Sequence, residues 1–209
     1  MPSYEIDGVI PVVVAGAFVH PSAVLIGDVV VETDCYIGPT ASIRGDFGPI
    51  IISSGSNVQD GCVLHSFPER ELLLEKESHI GHGAVLHGCV IASGAMVGMN
   101  AVVMDGARVG ARALVGAGSL VRAGMAIPAG HLAVGNPVTV TRPLDKQTLR
   151  WKENGVKVYQ ELAKRSLASM RETAPLAEIP INRAQLVTGR GVSAPLHELR
   201  RADNPGEPR

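Results

Sequence analysis

Aliphatic residues return every six positions along most of this chain. One run is Val19, Leu25, Val31, Ile37 and Ile43, and a second is Ile52, Val58 and Leu64. A third is Val85, Ile91, Val97, Val103, Val109, Val115, Val121 and Ile127. A small residue follows many of these four positions on, as at Ala23, Ala41, Cys62, Ala95, Ala101 and Ala113. A period of six matches neither the 3.6 of an amphipathic helix nor the plain alternation of a single strand. It fits a chain that turns a corner every six residues, three sides making a triangular coil of about 18 residues. The aliphatic residue points into the prism, glycine relieves the backbone at tight corners, and coils stack through parallel ladders at about 4.8 Å. The pattern therefore predicts a parallel β-helix of hexapeptide repeats over residues 1–140.

The places where the period fails predict the rest of the organisation. The step from Ile43 to Ile52 is nine rather than six. Residues 66–78 leave the series and carry Pro68 and the charged runs Glu69-Arg70-Glu71 and Glu75-Lys76-Glu77, which reads as an inserted loop at a corner. The series ends near Gly135-Asn136-Pro137. Residues 141–172 then carry Leu149, Trp151, Val156, Tyr159, Leu162 and Leu167 and read as a helical segment, with Asp145 placed to cap it. Gly155 predicts an interruption there, giving two helices or one kinked helix. The stretch 173–209 contains five prolines and is expected to be extended, with disorder near Arg209.

Composition supports narrow coils. Hydrophobic residues make up 45% of the 209, yet aromatics only 3%, so the core is built from aliphatics, Ala and Gly rather than large rings. A net charge of −1 lacks the basic excess of a nucleic-acid binder. No apolar run is long enough to span a bilayer, and the start Met1-Pro2-Ser3-Tyr4-Glu5 does not resemble a signal peptide. The reading is a cytoplasmic protein without membrane contact. Cys35, Cys62 and Cys89 are spaced 27 apart at equivalent places in the repeat, which suits small buried packing residues. Cys89, close to His87, is also a candidate metal ligand.

Three histidines lie where the repeat is disturbed: His65, His82 and His87. His65 and His87 each follow an inward leucine and are 22 residues apart, about one coil plus part of the loop, so they can stack on one side of the prism. His82 is five residues from His87, up to ~16 Å along an extended chain. Zinc needs nitrogens at about 2.0–2.1 Å, so two neighbouring subunits are better placed than one to bring His82 and His87 to a single ion. Arg44, Asp46, Gln59 and Asp60 are polar neighbours that a narrow prism must turn outward or pair.

The set Arg44-Gly45-Asp46, Gln59-Asp60, His65 and Gly81-His82-Gly83-Ala84-Val85-Leu86-His87-Gly88-Cys89 resembles the γ-class carbonic anhydrase family. Within it the resemblance is nearest to members that act in phenylacetate and carnitine metabolism. It implies a left-handed parallel β-helix with a C-terminal helix, assembled as a homotrimer with one metal at each subunit interface. His65 and His87 would come from one subunit and His82 from its neighbour. Zinc is the implied ion, with ferrous iron or cobalt also suited to a three-histidine set. Arg44 and Asp60 match the family's inter-subunit ion pair. Gln59 matches the residue that positions metal-bound water, Asp46 a neighbouring acidic position, and Tyr159 a helical tyrosine that approaches the site. The chain departs from the archetype at Phe47 and Pro68, where acidic proton-shuttle residues are expected.

Three neutral imidazoles leave an open position at which zinc-bound water, with a pKa near ~7, supplies hydroxide to an acyl-CoA thioester or to CO2. The missing shuttle acids weigh toward the thioester. The expected function is thus a metal-dependent hydrolase with Gln59, Asp60, Asp46 and Tyr159 around the reacting atoms. The alternatives are a hexapeptide-repeat acyltransferase, which uses a histidine base and needs no metal, and a metal-bearing scaffold with weak catalysis.

Overall fold

The computed structural model describes residues 1–186 and 194–203. It is a parallel β-helix of hexapeptide repeats, mostly sheet, with a helix after the coils. Short strands recur on each side of the prism and pair with the coil above and below. The long strands Val24–Val31 and Ser42–Ile52 run around a corner and join two sides into one sheet. The third side forms the second sheet and ends in an antiparallel pair, His131–Gly135 with Val138–Pro143.

Register shows the coil length directly. Val109 pairs with Ile91 and with Ile127, steps of 18. Val85 pairs with Val102, a step of 17, and with Val63, a step of 22. The short coil has a cause that the six-residue series hides. The inward residue on that strand is Leu86, fully buried, whereas Val85 is 37% exposed. The step from Leu86 to Ile91 is therefore five, and Val85 does not belong to the inward series. Every other member of the second and third runs is buried. The three cysteines are free and buried in the core, each just before a strand on a different side of the prism.

The insertion is smaller than the 66–78 segment expected from sequence. Leu72–Leu74 is a strand that pairs with Ile50–Ile52 on one side and Val90–Ile91 on the other. Leu72 and Leu74 are fully buried, so the coil resumes there and only the stretch around Phe67-Pro68-Glu69-Arg70-Glu71 projects.

The helix α1, Lys146–Ser169, is continuous through Gly155, against the expected break. The Asp145 side chain caps it by accepting the Thr148 N–H at 2.6 Å. Its buried residues Thr148, Lys152, Val156, Ala163 and Ser166 form one stripe against the prism. Gly155 turns toward the prism, where a Cβ would stand 3.6 Å from His79 Cε1. Glycine costs a helix interior about 1 kcal/mol relative to alanine, and anchoring along that stripe offsets it. Lys152 Nζ donates to the carbonyls of Gly94 (3.2 Å), Ala113 (2.8 Å) and Arg112, bridging two coils. A second helix, α2, covers Leu196–Asp203 inside the stretch expected to be extended. The disorder expected near Arg209 lies outside the described residues. Among the described residues, no helix is long and apolar enough to cross a membrane.

Candidate metal centre

The strands that carry the site are fixed by what lies inside. Ile43, Leu64, Leu86 and Val103 form a fully buried column in the prism. Side chains alternate along a strand, so the residues following the first three, Arg44, His65 and His87, point outward. The parallel register places Arg44 beside His65 and His65 beside His87. The structure thus brings His65 and His87 together, with His65 Nδ1 3.2 Å from His87 Nε2.

Each ring is held by a carboxylate on its other nitrogen. Asp46 Oδ1 is 2.8 Å from His65 Nε2, and its Oδ2 accepts from Arg44 Nη1 at 2.6 Å. Burial raises the Asp46 pKa, but the His65 hydrogen bond and the Arg44 charge outweigh it and hold the carboxyl below its usual range. Asp105 Oδ1 is 2.5 Å from His87 Nδ1. A carboxylate on the outer nitrogen orients an imidazole and keeps its inner nitrogen available as a ligand.

His82 lies at a corner with the same device. Asp60 Oδ2 is 2.7 Å from His82 Nδ1, and the Tyr159 hydroxyl is 3.5 Å from its Nε2. Burial, with the nearby Asp60 charge, pushes the Tyr159 phenol up to about 12, so it stays protonated. Within one chain Arg44 pairs with Asp46 and Asp60 with His82.

Gln59 is fully engaged rather than open. Its Oε1 accepts the His82 backbone N–H at 3.2 Å, and its Nε2 reaches Asn57 Oδ1 at 3.0 Å and His79 Nε2 at 2.8 Å. Asn57 Nδ2 is 3.2 Å from His79 Nδ1. Burial, with the charges of Lys152 and His82, pulls the His79 pKa down to about 4, so this imidazole is neutral at physiological pH.

Phe47 and Phe67 flank the histidine pair. Phe47 lies 5.2 Å from the His65 ring and Phe67 lies edge-on 5.5 Å from His87. Cys89 sits beneath, and burial raises its thiol to about 12, the opposite of an activated thiolate ligand.

The donor set fits a divalent transition metal at the paired histidines. Two nitrogens at about 2.0–2.1 Å from one tetrahedral zinc stand about 3.4 Å apart, close to the observed separation of 3.2 Å. Among the described residues of one chain, however, no group of three or more His, Cys, Asp or Glu is arranged to hold a metal ion. Sequence reasoning missed Asp105, Asn57 and His79. Asp105 was accessible, since it lies 18 residues, one full coil, beyond His87. His79 lies 22 residues beyond Asn57, the same long step that separates His65 from His87.

Residues 88–123 match the family model described as bacterial transferase hexapeptide (six repeats). The chain is 50% identical over 186 residues to the carnitine operon protein CaiE of Salmonella newport, covering 89% of this chain and 94% of that one. It is similar to the crystal structure of a putative acetyltransferase from Bacillus cereus, at 36% identity and TM-score 0.78, covering 79% and 96% of the two chains. A hexapeptide transferase family protein from Anaplasma phagocytophilum follows, with 30% identity, TM-score 0.76 and coverage of 78% and 97%.

Proposed function

The chain belongs to the CaiE family of hexapeptide-repeat proteins, and from that premise we propose that it is a metal-dependent hydrolase of the γ-carbonic-anhydrase type acting on an acyl-CoA thioester. The observation that carries this reading is the His65–His87 pair, two imidazoles with inner nitrogens 3.2 Å apart and outer nitrogens on Asp46 and Asp105. In this reading the protein is a homotrimer in the cytoplasm. His65 and His87 of one subunit and His82 of the next hold zinc, ferrous iron or cobalt. A bound divalent ion supplies Lewis acidity and an activated water at neutral pH. The chain's own residues do the rest. Asp46, Asp105 and Asp60 orient the rings, Gln59 fixes the His82 backbone, and the neutral Tyr159 hydroxyl offers a hydrogen bond beside it. Phe47 and Pro68 stand where the resembling family carries shuttle acids, with Glu69 and Glu71 displaced from those places, which favours a thioester over CO2. A resemblance to PaaY, the phenylacetic acid degradation protein, points to the same reaction class.

A second reading is acyl transfer, favoured by the similarity to the putative acetyltransferase and by the His82–Asp60 contact, which orients a histidine as a base does. Chelation separates the two. Metal-replete and chelated protein are assayed for thioester hydrolysis, CO2 hydration and acyl transfer to amines. Hydrolysis that disappears on chelation and returns with metal is expected. Acyl transfer that survives complete metal removal would establish the second reading.

A further inference from the structure

A cavity of about 430 Å³ lies between α1 and one side of the prism, and its lining joins a polar cluster to apolar side chains. Gln59, His79, His82 and Tyr159 form a contiguous polar cluster in the lining, and Met96, Met99, Trp151, Val158 and Leu196 wall the rest. Its floor is a column of glycines, Gly81, Gly98 and Gly116, one per coil. Beta-carbons there would stand 2.8 Å from Met99 N at Gly81 and 2.5 Å from Ala117 N at Gly98, so side chains are sterically excluded from that floor. The volume is within the range of about 300–1,000 Å³ typical of small-molecule sites, which combine apolar walls with a few convergent polar groups.

We propose that this cavity is the acyl pocket, seating the apolar acyl group of a thioester against the glycine floor and α1 with its carbonyl at His82. This rests on the hydrolase reading for the identity of the reacting group. The physical case is the mixed lining, one polar cluster set among apolar walls. A thioester is polar at the carbonyl and apolar beyond it, and His82 with the Tyr159 hydroxyl, 3.5 Å from its Nε2, offers hydrogen bonds that the methionine, valine and leucine walls do not. Met96 and Met99 are unbranched and adapt to different acyl shapes. Burying each methylene favours binding by roughly threefold to fourfold, so affinity should rise with acyl length until the pocket is full.

Trp151 is the only tryptophan of the chain and lines this cavity, so its fluorescence reports occupancy whether or not metal is bound. The S-ethyl, S-hexyl and S-benzyl thioethers of coenzyme A, which cannot be hydrolysed, are titrated into the full-length protein, with metal and without. The expected result is a saturable Trp151 signal, with S-hexyl or S-benzyl binding at least about tenfold more tightly than S-ethyl. Met99→Glu, at a residue 54% exposed in the single chain, should abolish that preference by placing a charge at the lip. Val158→Phe should shorten the longest group accepted. Equal affinity for all three thioethers, no Trp151 response, or a preference that survives both substitutions would overturn the proposal. Dissociation of the oligomer by Met99→Glu with the preference intact would assign the cavity to a subunit contact instead. Selective thioether binding with no hydrolysis of the matching acyl-CoA thioesters would keep the pocket and sink the hydrolase reading, whereas thioester hydrolysis with no preference among the thioethers would do the reverse.

Discussion

His79 and His87 lie eight residues apart on neighbouring sides of one coil, and their partners give them opposite chemistry. His79 is enclosed by the carboxamides of Asn57 and Gln59 and by the ring of Tyr159. Burial, with the charges of Lys152 and His82 nearby, holds it neutral, with its pKa down at about 4. His87 instead has Asp105 on one nitrogen and His65 facing the other. An amide cage occupies both nitrogens of an imidazole, whereas a carboxylate behind one nitrogen orients the ring and leaves the far nitrogen as the one that could serve as a ligand. Three of the four histidines in this region, His65, His82 and His87, have the second arrangement.

The largest break in that comparison comes from deleting a donor. His65→Ala or His87→Ala should lose bound metal and hydrolysis, by more than the roughly 10–100-fold that loss of an outer partner costs. The fold should persist, because the aliphatic column behind these residues does not use them. Elemental analysis alongside circular dichroism checks both halves, and full metal occupancy in either variant would remove that histidine from the ligand set.

Next in size is the carboxylate. Asp105→Asn keeps the shape but replaces the charge, and metal affinity should fall about 10–100-fold. Competition against a chromophoric chelator measures it. Unchanged affinity would mean that Asp105 neither orients His87 nor raises its basicity.

The amide cage predicts a stability effect. The His79 pKa falls from 6.5 in the unfolded chain to about 4 in the native one. Between those values the unfolded state binds a proton that the native state does not, so stability declines as pH falls from 6.5 toward 4, by up to about 3 kcal/mol, and stops declining through this group below that. His79→Leu removes this dependence. At pH 7 it should cost about 1–3 kcal/mol for each carboxamide left without a partner. Urea unfolding at pH 7.5 and pH 4.5 gives both numbers, and a wild-type profile no steeper than the variant's would show that His79 is not caged.

The smallest effect is at the mouth. Phe47 is 58% exposed and packs on His65, so Phe47→Glu should leave stability within about 0.5 kcal/mol. It should raise CO2 hydration severalfold by offering a proton acceptor beside the pair. Stopped-flow hydration at low buffer, where proton transfer limits the rate, is the assay. An unchanged rate would separate the missing acid from the low expected hydration activity.

The coil was legible in the sequence because one side chain in six must fill a narrow prism, and the third run keeps that rule from Ile91 to Ile127. Leu72 and Leu74 were hidden because charged residues flank them, although Leu74 stands six before Ile80 and keeps the period. Val85 and Leu86 are both aliphatic, and only packing decides which faces inward. Gly155 suggested a break because propensity is local, while Lys152 anchors the helix to carbonyls 40 and 58 residues away. The histidines were legible as residues, since each stands at an irregularity. Their carboxylates were less so. Asp46 and Asp60 stand beside other polar groups, but Asp105 meets His87 only through the stacking of coils.

The central claim is that the site is divided between subunits, with His65 and His87 on one and His82 on the next. Mixing His65→Ala subunits with His82→Ala subunits, by co-expression or refolding, tests it. In a mixed trimer one interface joins an intact His65/His87 pair to an intact His82, so metal binding and hydrolysis should return although each parent lacks both. A mixture of His65→Ala with His87→Ala has no whole interface and should stay inactive. No recovery in the first mixture despite confirmed mixed trimers, or recovery in the second, would contradict the divided site.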